Sequence, residues 1–172
     1  MTQTGSFEKL KERVINRGGF FVYFYFDVHS NSPENMQSLA VSFSSKITNE
    51  KGVAFGISEI DQPLEKDGIY STAIKTTLLV EDFPSLVRLA MTYMPIAIQI
   101  EEPLEQKIDA GQLQLSLIEL STFCQELTNH ILTKGMNEEQ KKRFDQEIAT
   151  KIILGKKIME KINKENKESN KE

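Results

Sequence analysis

The sequence predicts an α+β domain in which one antiparallel sheet carries two helices on a single face, with a pair of longer helices after it. Two observations predict it. Four strand-like runs, "FFVYFYFDV", "VAFGISEID", "IYSTAIKTTLLV" and "IAIQIEE", alternate with two capped segments of helical period in the order β-α-β-β-α-β. After Pro103 the strand signal stops and long helical repeats take over.

Taken in order, "SFEKLKERVINRGG" reads as a short N-terminal helix with Ser6 as N-cap, Phe7, Leu10, Val14 and Ile15 near one face, and Gly18-Gly19 as its stop. The first strand, from Phe20 to Val28, puts Phe20, Val22, Phe24 and Phe26 on one face and Phe21, Tyr23, Tyr25 and Asp27 on the other. Two apolar faces mark a central strand. In the next segment Ser32 caps a helix, Pro33 holds its first position, and Met36, Leu39, Ala40, Phe43 and Ile47 repeat at helical spacing up to Gly52. The second and third strands are joined by "QPLEKDG", whose Pro63 and Asp67-Gly68 are turn chemistry. "EDFPSLVRLAMTYMP" is the second helix, with Phe83, Leu86, Val87, Ala90, Met91 and Met94 facing inward, and "IAIQIEE" is the fourth strand. The order β-α-β-β-α-β is the ferredoxin-like, or split βαβ, arrangement.

Beyond Pro103, Asp109 caps a helix that runs to Gly135, and Leu113, Leu117, Leu120, Cys124, Leu127 and Ile131 alternate spacings of four and three. That is a heptad seam, free to pack within the chain or across a two-fold axis. Leu115, Ile118, Phe123 and Leu132 lie off it. Asn137 with Gln140 forms the capping box of a further helix carrying Phe144, Ile148, Ile152, Met159 and Ile162. The short "KGMN" link suits an antiparallel helical hairpin. The expected organisation is an extension over 1–19, the α+β domain over 20–103, the hairpin over 104–165 and a disordered tail over 166–172, where "NKENKESNKE" is too polar to pack.

At 172 residues, with 39% hydrophobic and 27% charged side chains, the composition is that of a soluble protein. Residues 1–136 carry 11 basic and 17 acidic groups, and residues 137–172 carry 10 and 8. No concentrated positive footprint is present, which argues against phosphate-backbone binding. One cysteine excludes an internal disulfide, and one cysteine with two histidines does not complete a structural zinc site; no metal and no cofactor are expected. No apolar run approaches the roughly 20 residues of a membrane span, so a cytoplasmic protein away from the membrane is expected.

Chemistry has two candidate locations in the α+β domain. Phe21, Tyr23 and Tyr25, with Lys75 and flanked by Ala54, Gly56, Ser58, Ala73, Thr77, Ala97 and Gln99, form an aromatic sheet face like the base-stacking platform of single-stranded RNA-binding modules. The glycine-aromatic spacing of the usual RNA motif is missing from "YSTAIKTTLLV", so a face covered by the long C-terminal helix or by the same face of a second copy is preferred. Asp27 and His29 point the same way on a strand and, with Glu59 and Asp61, form a candidate polar site for a small-ligand sensor or an enzyme. At a strand-to-helix junction such residues are more often hydrogen-bonding caps. Cys124 on the seam reads as a small hydrophobe, not a nucleophile. No phosphate loop occurs in "RGGF", "EKGVAFG" or "KDG".

Residues 20–134 resemble small uncharacterised archaeal proteins with the same element order, through "FDVHS", "DGIYSTAI" and "LVRLAMTYMPIAIQIEEP". That resemblance implies the fold and no activity. The shape is also similar to ACT-type regulatory modules, which bind small ligands between subunits, but their glycine at the first strand-to-helix turn is absent from "DVHSNSPEN". Apolar surface is plentiful while acid-base pairs and phosphate cradles are not. The expectation is therefore a non-enzymatic interaction or regulatory module, homo-oligomeric with a dimer favoured, binding protein rather than nucleic acid.

Overall fold

The computed structural model describes residues 3–66, 68–146, 148–150 and 153–154. Along the chain run α1 (Gln3–Ile15), β1 (Phe20–Ser30), α2 (Pro33–Thr48), β2 (Val53–Ile60), β3 (Leu64–Lys66), β4 (Ile69–Val80), α3 (Phe83–Tyr93), β5 (Ala97–Glu102) and α4 (Ala110–Thr133). A fifth helical stretch, α5, covers 138–146 and 148–150. The chain divides into a first unit, Met1–Phe123, and a second, Cys124–Glu172.

The first unit is α+β, with a five-stranded antiparallel sheet in the order β2-β4-β1-β5 and β3 paired to β4. β1 is central because both of its faces are apolar. Phe20, Val22, Phe24 and Phe26 are buried with Ile74, Leu78 and Val80 of β4, Ala40 and Ile47 of α2, and Leu86, Leu89 and Tyr93 of α3. Both helices thus pack on one face of the sheet. Each large side chain removed from water there contributes about 1.5–3 kcal/mol.

Local signals set the helix ends. The Ser32 hydroxyl accepts from the Asn35 amide at 3.3 Å, and the Asp82 carboxylate accepts from the Ser85 amide at 2.8 Å. In α3 Phe83, Leu86 and Ala90 meet the core as expected, and Leu89 and Tyr93 are buried with them, whereas Met94 is not. The helix ends at Tyr93, and Met94 turns left-handed at φ 46°, which leaves its side chain 71% exposed. The buried Tyr93 hydroxyl donates to Glu50 at 2.5 Å, and burial first, then that carboxylate, pushes the phenol well above its ordinary range.

Two departures lie in β2 and the segment after it. Val53 lies opposite Val80, but Phe55 lies opposite Leu79, so the strand carries one extra residue at its start. This bulge reverses the faces of everything after it. Gly56 and Ser58 point to the helices, not to the opposite face where alternation alone places them, and Ala54 is the residue absorbed by the bulge. A Cβ on Gly56 would lie 2.8 Å from the Thr48 side chain of α2, and the Ser58 hydroxyl sits 2.9 Å from that of Thr76. The second departure lies in "QPLEKDG". Pro63 interrupts the ladder, which resumes as β3 with Leu64 opposite Ser71 and Lys66 opposite Ile69; Gly68 then supplies the positive φ of the turn.

α1 starts at Gln3, so Ser6 is inside the helix and not its cap. α4 begins where expected, with the Asp109 carboxylate accepting from the Gln112 amide at 2.9 Å. α5 opens with the reciprocal capping box: the Asn137 amide donates to Gln140 at 3.0 Å and the Gln140 amide to Asn137 at 2.9 Å. Its Phe144 and Ile148 are half-buried, while Ile152, Met159, Ile162 and the 166–172 tail lie outside the described residues. Among the described residues no helix is long and apolar enough to cross a membrane.

Candidate functional site

The strand register arranges the face of the sheet opposite α2 and α3 in rows. The first row is Phe55, Leu79, Phe21 and Glu102, and the second is Ile57, Thr77, Tyr23 and Gln99. The third is Glu59, Lys75, Tyr25 and Ala97, and beyond it Ala73 stands beside Asp27 and Ser71 beside His29. The face therefore grades from apolar at one end to polar at the other.

α1 roofs the apolar end. The Phe7 ring lies 6.0 Å from that of Phe21 and 4.9 Å from that of Phe55, the two rings that flank Leu79 in register, and Leu79 is fully buried. Lys11 reaches Glu102 at 3.0 Å and stands 5.4 Å over the Phe21 ring. Hydrogen bonds to Glu102 and then Glu8 raise its amine above the ordinary value. Phe7, Lys11, Phe55 and Ile57 all escape the sequence reading of this face. The two from β2 escape because a bulge has no distinct pattern, the two from α1 because amphipathicity does not name the surface a helix covers.

The remaining rings also have partners in their own chain. Lys75 stands 4.2 Å over the Tyr23 ring, in a cation–π contact. The Tyr25 hydroxyl donates to Gln99 at 3.1 Å, and Gln99 in turn donates to Glu101. Phe21, Tyr23 and Tyr25 are each half-buried.

At the polar end His29 Nε2 lies 3.2 Å from an Asp27 carboxylate oxygen, with both side chains exposed. Glu59 is not brought to them: it stands opposite Lys75, two register positions from Asp27. Asp61 comes closer, its amide donating to the carbonyl of Ala73, the residue opposite Asp27. Asp27, Asp61, Thr72 and Leu64 share the lining of an open cavity of about 320 Å³. Among the described residues no three acidic, histidine or cysteine side chains converge as a metal site.

An exposed apolar row runs along α4. Leu113 is 48% exposed, Leu117 57%, Leu120 43%, Leu127 51% and Ile131 62%, and Cys124 is exposed with them. The side of the helix removed from water is a different stripe. Ser116 is buried, and Gln112, Glu119 and Phe123 beside it are half-buried. The Ser116 hydroxyl bonds back to the Gln112 carbonyl at 2.9 Å, while one Glu119 carboxylate oxygen is buried without a partner.

A model described as the MJ0538 family matches residues 21–171. The chain belongs to the MJ0538 family. That family is named after a Methanocaldococcus jannaschii protein and has no known activity. No curated protein and no solved structure matches the chain. The MJ0538-family match includes the aromatic sheet face, the polar end and the whole α4 seam, and begins after α1, the helix that roofs Phe21.

Proposed function

We propose that this MJ0538-family chain is a non-enzymatic, homo-oligomeric interaction module, assembled as a dimer through the leucine seam of α4. One observation carries the reading: along α4 the leucines stand 43–57% exposed, and Ile131 62%, while the serine at position 116 is buried. A monomer in water places those residues the other way round, since burying a leucine is favourable and burying a hydroxyl gains little. A contiguous apolar stripe of this length on a soluble protein is ordinarily an association surface.

The same reading takes the first unit as ferredoxin-like. Omitting the short β3, the sheet order β2-β4-β1-β5 with α2 and α3 on one face supports that arrangement. It takes α4 and α5, linked over 134–137, as an antiparallel helical hairpin whose outer face is the seam. The aromatic sheet face ranks below the seam as an interface and as an RNA platform, because Phe7, Lys11, Lys75 and Gln99 already occupy its rings. The polar end offers an exposed Asp27–His29 pair without a third group, which does not make an acid-base site.

Sedimentation equilibrium of the full chain tests the reading. A dimer whose dissociation constant rises when seam leucines become glutamine supports it. A monomer at micromolar concentration, or a dimer indifferent to those changes, overturns it.

A further inference from the structure

Resting on that reading, we infer that the occupant of the seam is α4 of a second copy running antiparallel, about a two-fold axis at Thr122. The spacing along the helix is symmetric about that residue: Leu113 meets Ile131 of the second copy, Leu117 meets Leu127, and Leu120 meets Cys124. Three layers form on each side of the axis, along a 24-residue helix about 36 Å long.

Charge selects this direction over the parallel one. The seam is bracketed by an acid before its first turn, Asp109, and a base after its last, Lys134. Antiparallel pairing sets Asp109 of one copy beside Lys134 of the other at both ends, whereas parallel pairing sets acid beside acid and base beside base. Between those ends the acidic and basic side chains of α4 are Glu119 and Glu126, neither of them on the seam. Antiparallel helices also place each dipole end against its opposite.

Cys124 makes the direction measurable. Parallel in-register helices bring Cys124 against Cys124 of the second copy. Antiparallel helices separate the two by four residues, about 6 Å of axial rise before any lateral distance, beyond the 3.5–4.5 Å Cβ separation of a disulfide. Leu120 is then the residue facing Cys124.

The test is oxidation of the full chain with a mild oxidant, read on a non-reducing gel, with the mass in solution measured first by light scattering. Three proteins are compared: the natural chain, Leu120→Cys, and Leu120→Cys with Cys124→Ser. The expected result is a covalent dimer only when cysteines stand at both 120 and 124. Leu117→Cys with Leu127→Cys in a Cys124→Ser background repeats the test at a second layer, with the same requirement for both. A natural chain that cross-links through Cys124 alone overturns the antiparallel direction while leaving assembly through α4 intact. A dimer by mass in which neither pair cross-links overturns the seam register. A monomer by mass overturns the assembly reading and this inference with it.

Discussion

Replacing Leu117 and Leu127 together by glutamine separates an assembly seam from a core face. Both side chains are about half exposed, at 57% and 51%, and glutamine has nearly the helix propensity of leucine, so the folding cost in one chain is within about 0.5 kcal/mol. The cost to association is larger. Full burial of a leucine is worth about 1.5–3 kcal/mol, so covering the exposed half contributes about 1 kcal/mol per side chain, or about 4 kcal/mol for the four leucines of a dimer. That corresponds to a dissociation constant raised about a thousandfold. Sedimentation equilibrium reads the constant, and urea unfolding under dilute, monomeric conditions reads the fold. An unchanged constant refutes the reasoning. So does a loss of about 2 kcal/mol or more in the dilute unfolding, because these leucines would then be packed inside one chain.

The remaining predictions concern the first unit. Gly56→Ala drives a Cβ to within 2.8 Å of Thr48 and is expected to cost about 1–3 kcal/mol in urea unfolding; a neutral result would remove the bulge-reversed register. Phe7→Ala uncovers Phe21 and Phe55 and is expected to lose about 1–2 kcal/mol and to speed amide exchange at Leu79, whereas unchanged exchange would mean that α1 is no roof. The Tyr93 phenol and the Lys11 amine are both raised in the fold, so their stabilisation is complete below about pH 10 and is lost as pH climbs through the raised values. Circular dichroism should therefore show a flat stability from neutral pH to about pH 9 and a fall above it, and Tyr93→Phe should flatten most of that fall. Asp27→Asn breaks an exposed pair and is expected to change stability by no more than about 0.5 kcal/mol at neutral pH; a larger loss would mean that the polar end is structurally committed.

What was legible in the sequence follows from which rules are local. Alternation along β1 separates the buried Phe20, Val22, Phe24 and Phe26 from the half-buried Phe21, Tyr23 and Tyr25 because strand period admits two faces and no others. Ser32, Asp109 and the Asn137–Gln140 box are legible because a cap is satisfied within four residues. The faces of β2 were not legible: one extra residue near Ala54 exchanges Gly56 and Ser58 for Phe55 and Ile57, and that insertion shows only once the strand is paired. In α3 the expected Phe83, Leu86 and Ala90 do meet the core, while Leu89 and Tyr93, not Met94, complete the stripe, a choice that only packing makes. On the candidate surfaces the sequence marks the rings and the leucine seam, but not the covering partner. Phe7 and Lys11 lie far in sequence from the strands they touch, and a buried Ser116 beside exposed leucines on α4 runs against the rule that apolar residues are inside.

In the proposed dimer the leucine seam of α4 joins two copies of this chain. Sedimentation equilibrium over a concentration series reads it most directly. The expected mass is twice the chain's 19.6 kDa at micromolar concentration, falling toward one chain on dilution. A mass of 19.6 kDa across the whole series would contradict it.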